Sequence, residues 1–178
     1  ELSLITLQFS KNVLAATNAY TLHVTDSTEL AGLPEYVKTM AAETAAEKGL
    51  EGWAFTLDYP SFSPFLKYST NRELRKQIWT AYNTRAIGGE FDNTEIVKKI
   101  VDLRIKMANI LGYETFADYA LEERMAKNRT TVNEFVKNLL EPSLVYAKKD
   151  IADVYKYAKK NGFEGKELMP WDFSYWSE

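Results

Sequence analysis

The chain of 178 residues contains no cysteine and a single histidine. Without cysteine there is no disulfide framework, no thiolate metal site and no Cys nucleophile. Such a composition suits a reducing compartment, and a cytoplasmic location is the expectation. One imidazole, His23, cannot by itself be half of a zinc motif; it reads as a strand histidine, hydrogen-bonded or facing solvent. No apolar run approaches the roughly 18 residues of a membrane span, and the first residues do not read as a signal peptide. Lys and Arg do not cluster apart from acidic neighbours, and the net charge is -3. No nucleic-acid footprint results. The motifs GxGxxG, GxxxxGK[ST], GxSxG and HExxH are all missing.

What is present is apolar surface arranged for helices. Hydrophobic residues make up 46% and aromatic residues 13%, ample for one core, and the length suits a single unit over 1-178. Residues 2–17 carry apolar positions mostly at helical spacing. "YTLHVTD" (20–26) and "WAFTLDY" (53–59) alternate and predict two short strands that pair with each other, about 20-25 and 53-58. Pro34 opens a helix closed by Gly49. "PSFSPFLKYS" predicts a short helix and 71–86 another. Ile96, Ile100, Leu103, Met107 and Ile110 step by four and three and give the clearest amphipathic helix, opened by Asp92 and stopped by Gly112. Thr115 with Asp118 starts a helix through about Met125. Thr131 with Glu134 starts a long one to Gly162, which Pro142 should bend or split. The fold class is mainly α with one small two-stranded β element.

Chemistry is sparse. Glu122 and Glu123 are adjacent, so on a helix they point about 100° apart and form no dyad. Asp118 and Glu122 share a face with Arg124 and Lys127 nearby, which predicts ion pairing. The aromatic stretch "YPSFSPF" would suit a ligand platform, but at this aromatic density it reads as core. No catalytic or metal residue emerges, and substrate-binding residues are not identified.

At "FTLDYPSFSPFLKYSTNRELRKQIWTAYNTRA" (55–86) the chain resembles the thimet-oligopeptidase-like family of zinc metallopeptidases, which includes oligopeptidase A and peptidyl-dipeptidase (dipeptidyl carboxypeptidase). The similarity runs through Tyr59-Pro60-Ser61, Tyr68, Asn71 to Arg75 and Ala81 to Arg85. It continues through "FDNTEIVKKIVDLRIKMANILGYETFADYALEERMAKN" (91–128) and "MPWDFSYWSE" (169–178), and takes in the N-terminal "LSLITLQFSKNVLAATNAYTLHVTD". The resemblance implies a mostly helical zinc peptidase with a deep channel for short peptides. Its HExxH helix and a second-helix Glu would hold zinc, with the Glu of the motif as general base. None of those residues is present, so the resemblance places zinc in the parent protein and none in this chain. It implies a fragment upstream of the HExxH motif, inactive alone, whose partner is the catalytic lobe of the same polypeptide. "GGEFDN" (88–93) favours the peptidyl-dipeptidase branch, which releases C-terminal dipeptides, over an oligopeptidase A-type endopeptidase. A non-catalytic helical interaction module derived from the family is the other reading. Trp171, Phe173 and Trp176 would be left exposed, with a poorly ordered C-terminus or self-association as the consequence.

Overall fold

The computed structural model describes residues 1–178 and contains eight α-helices and one two-stranded sheet. Helix α1 (Leu2–Ala19) leads into strand β1 (Leu22–Val24), and a short 3₁₀ turn (Ser27–Leu30) leads to α2 (Glu35–Glu47). Strand β2 (Trp53–Phe55) follows, then α3 (Tyr59–Tyr68), α4 (Arg72–Asn83) and α5 (Thr94–Ile110). The chain closes with α6 (Phe116–Leu121), α7 (Arg129–Lys160) and α8 (Pro170–Trp176). The architecture is mainly α, as the apolar periodicity predicts.

The strands pair with each other antiparallel, with Leu22 opposite Phe55, His23 opposite Ala54 and Val24 opposite Trp53. Alternation puts Leu22 and Val24 inward and His23 outward, because successive side chains leave a strand on opposite faces. Two strands alone are marginal, and α2 covers this pair. The core joins Leu22, Val24 and Phe55 to Val37 and Ala41 of α2, Phe62, Phe65 and Leu66 of α3, and Ile78 of α4. Two glycines make that closeness possible. At Gly52 (φ 85°) a Cβ would sit 2.5 Å from the Val24 carbonyl oxygen, and at Gly32 (φ 86°) 2.1 Å from that of Tyr68.

The aromatic stretch is core. Phe55 meets Phe65 edge-on at 4.6 Å between ring centroids, and Phe62 stacks on Tyr82 at 4.1 Å. Each such pair adds about 0.5–1.5 kcal/mol beyond its buried area. Tyr59, by contrast, lies on the surface.

Helix α1 packs on α5, and Asn93 fastens the two. Its side-chain nitrogen donates to the Phe9 carbonyl and its oxygen accepts from Asn12, both at 3.0 Å. Asp92 does not open α5 as its cap; Asn93 stands at that position. Asp92 instead accepts from the backbone and hydroxyl of Thr94 and from the Gly88 N–H, folding the glycine loop back onto the helix start. These hydrogen bonds hold its carboxyl below the usual carboxylate range. Along α5 the stripe is covered from Ile96 to Met107 but not at Ile110, in the last turn, which is exposed.

Helix boundaries moved where turn chemistry outweighs periodicity. Helix α4 stops at Asn83, and Ala86 turns the chain at φ 56°. Helix α6 ends at Leu121 rather than Met125. Helix α7 begins at Arg129, because the Asn128 side chain accepts from the Thr131 N–H and satisfies an orphan donor of the first turn. Pro142 does not split α7, which runs unbroken to Lys160.

Candidate functional site

The residues singled out for chemistry do not converge on one site: His23 lies on the strand pair, and Asp118, Glu122 and Glu123 on α6 and the turn after it. His23 Nε2 bonds the Glu51 carbonyl at 2.6 Å on the exposed side of the strand pair. Glu122 accepts from the Tyr113 hydroxyl, and Glu123 lies on the surface of the same turn. Asp118 pairs neither with Arg124 nor with Lys127; it accepts from the Thr115 side chain and backbone and pairs with Arg129 at 2.7 Å. The chain reverses just after Leu121, which carries Arg124 and Lys127 off that face and brings the first residue of α7 onto it.

The chain's own residues do not fit a zinc ion. Zinc needs three or four N, S or O ligands converging on one point. The one imidazole is committed to Glu51, there is no thiolate, and no three His, Cys, Asp or Glu side chains come together.

One charged cluster is buried, and local pattern did not reveal it. Asp172, in the first turn of α8, is fully buried. Arg72 grips it with two parallel bonds, Nε to Oδ1 at 2.9 Å and an Nη to Oδ2 at 2.7 Å. Arg75 donates to Oδ1 at 3.2 Å, and the Met169 N–H donates to Oδ2 at 3.1 Å. Four donors fill the roughly four acceptor positions of a carboxylate. Arg75 also bonds the Ser69 and Trp171 carbonyls and lies over the Tyr175 ring at 4.2 Å. The bidentate bonds to Asp172 push the Arg72 guanidinium up, while burial pulls Arg75 down against the attraction of the same carboxylate. Both remain cations at neutral pH. Held by four donors, the carboxylate fastens the first turn of α8 to α4.

Around it, aromatic rings close the joint. Trp171 meets Trp79 at 5.5 Å, and Phe163 meets Trp176 at 5.9 Å. Trp171 and Trp176 are thus partly covered rather than left exposed. Phe173 alone of the three stays exposed. A cleft of about 390 Å³ remains beside the cluster, lined by Arg72, Arg75, Phe163, Tyr175 and Trp176 among others.

Fold and cluster together define a helical scaffold whose elements are locked by an ion triad centred on the buried Asp172, with a small sheet at its core. The chain belongs to peptidase family M3, whose family model matches residues 65–178. It is 37% identical to oligopeptidase A of Haemophilus influenzae, an alignment covering 99% of this chain and 27% of that protein. It is 39% identical to oligopeptidase A of Escherichia coli over 96% of this chain and 26% of the relative. Dipeptidyl carboxypeptidase of Escherichia coli is 29% identical over 100% of the chain and 26% of the relative. The chain thus spans about a quarter of the length of these relatives. The preference for the peptidyl-dipeptidase branch drawn from "GGEFDN" is not supported by this ranking. That loop is a turn tied by Asp92.

Proposed function

We propose that residues 1–178 are a non-catalytic part of a longer M3 peptidase of the oligopeptidase A type. The observation that carries this is the higher identity to the two oligopeptidases A, 37% and 39%, than to the dipeptidyl carboxypeptidase at 29%. In this reading the whole protein cleaves short peptides internally, with zinc held by residues outside 1–178. The segment itself supplies rigid helical wall and no reacting group. Its buried charges are mutually satisfied and its histidine is bound to backbone, which supports that assignment. A cytoplasmic location belongs to the same proposal and is tested by fractionation of the producing cell.

The test uses the full-length gene product and internally quenched peptides, with product masses read by mass spectrometry. Internal cleavage that is lost on chelation and restored by zinc is the expected result. Release of C-terminal dipeptides alone would return the protein to the peptidyl-dipeptidase branch. An open reading frame without HExxH would leave the helical interaction module as the better reading.

A further inference from the structure

Helix α7 is the longest element, and every residue from 133 to 153 is exposed. Exposure on this scale suits a polar helix, yet α7 is not polar. Projected at about 100° per residue, Val136, Leu140, Leu144, Ala147 and Ile151 fall within about 40° of the line through Ala158. Phe135, Leu139 and Tyr146 form a second row, roughly 100–140° round the axis from that line. A surface helix needs one apolar stripe of about 100°, and α7 carries two separate ones: Ser143 and Asp150 lie between the rows, Asn133 sits at one end of the first and Asp153 at one end of the second. Glu134, Glu141, Lys148, Lys149 and Lys156 occupy the rest of the circumference.

The first row is already an interface at one end. Ala158 is fully buried and Val154 half-buried. Tyr155 beside them meets Phe163 at 6.3 Å, and Phe163 meets Trp176 of α8. The same line then runs uncovered from Ile151 to Val136, about 22 Å of helix at 1.5 Å per residue. The whole molecule shows the matching surplus. Its accessible surface is 12053 Å², roughly 3,200 Å² above the value of about 8,800 Å² for a compact protein of its mass. Counted over both partners, covering that surplus would bury roughly 6,400 Å², at or beyond the upper end of permanent interfaces, about 2,000–5,000 Å².

We propose that α7 is an interior helix: its two apolar rows are docking surfaces for two further helices of the same polypeptide, outside residues 1–178. A second copy of this chain would lay one α7 against another and cover one row, leaving the other wet. Two rows about 100° or more apart call for a neighbour each. The relatives supply the length, since three-quarters of each lies outside the matched part. The proposal takes from the peptidase reading only the existence of that further polypeptide.

Thiol labelling tests it, read by mass spectrometry on peptides from residues 1–178, where no native cysteine competes with the introduced one. Leu144→Cys reports the first row, Leu139→Cys the second, and Lys149→Cys the polar side. All three positions are exposed here. In the full-length protein the first two are expected to react at least about tenfold more slowly than Lys149→Cys, and to match it after denaturation. Equal reactivity of all three in the native full-length protein would overturn the proposal. Protection of only one row would overturn the two-neighbour arrangement. Protection already present in the 178-residue chain and rising with its concentration would assign the surface to a second copy instead. Peptidase activity is assayed on the same preparations, so an inactive protein with both rows protected would sink the functional reading and leave this one standing.

Discussion

Asp172 makes the sharpest residue-level case, because its partners differ in exposure. The Arg75 side chain is 3% exposed and that of Arg72 39%. Removing the carboxylate charge strands Arg75 in a dry site, and breaking a buried pair in this way costs about 3–5 kcal/mol. Asp172→Asn is therefore expected to lower the thermal midpoint strongly and to release the amides of α8 in hydrogen exchange. The Lys67–Glu178 contact at 2.7 Å has both side chains near 40% exposed, and solvent screens such pairs. Glu178→Gln should leave the midpoint nearly unchanged, and an equal loss in both variants would contradict the ranking. Ala86 poses a different problem, a buried side chain at φ 56°. Glycine there relieves about 1 kcal/mol of strain but frees the unfolded chain by a similar amount. Ala86→Gly should stay within about 0.5 kcal/mol of the parent, whereas Ala86→Val, β-branched in a left-handed position, should lose about 2 kcal/mol or more. Denaturant midpoints separate the two.

At the scale of elements, α6 and α7 meet through Asp118. The Thr115 hydroxyl and then Arg129 hold its carboxyl below the usual carboxylate range. A lowered folded-state value means that the contribution is present above the ordinary carboxylate value, about 3.9, and fades as pH falls through the folded value. Amides of α6 and the first turn of α7 are expected to lose protection below about pH 4, and Asp118→Asn should remove that pH dependence. Pro142 in α7 gives a second element-level expectation. It removes one backbone bond in a helix interior, at a cost of up to about 3 kcal/mol. Pro142→Ala should slow exchange around residues 138–146 without altering the core. Local signals made α2, α5 and the strand pair legible in the sequence, since an apolar period and a flanking Pro or Gly determine each. Helix α7 starts at Arg129 rather than Thr131 because Asn128 offers its side-chain oxygen one turn earlier. The Arg72–Arg75–Asp172 cluster joins positions about a hundred residues apart in sequence, and no local period encodes such a meeting. The sequence did mark "NRELR" and "PWD" separately, and the fold makes them one joint.

For the whole molecule, the balance between buried and exposed surface is the governing quantity. Twenty-four of 178 residues are buried, and the largest group of them lies around the strand pair, α2, α3 and α4. Helices α5 to α7 have few buried positions, and α7 connects back to that nucleus through α8, which packs on α3 and α4. A compact chain of 178 residues has a radius of gyration of about 16 Å. The uncovered length of α7 and the surplus surface require a larger value for this chain. Small-angle X-ray scattering, extrapolated to zero concentration so that association does not enter, is expected to give a radius clearly above 16 Å. Within the full-length protein the same helix should contribute no such excess, because its two apolar rows are covered. A radius at or below 16 Å for the isolated chain would mean that α7 folds back onto α1 or α5 in solution. The exposed Val97, Val101 and Ile105 of α5 would then be its neighbours, and the case for outside partners would fall with that result.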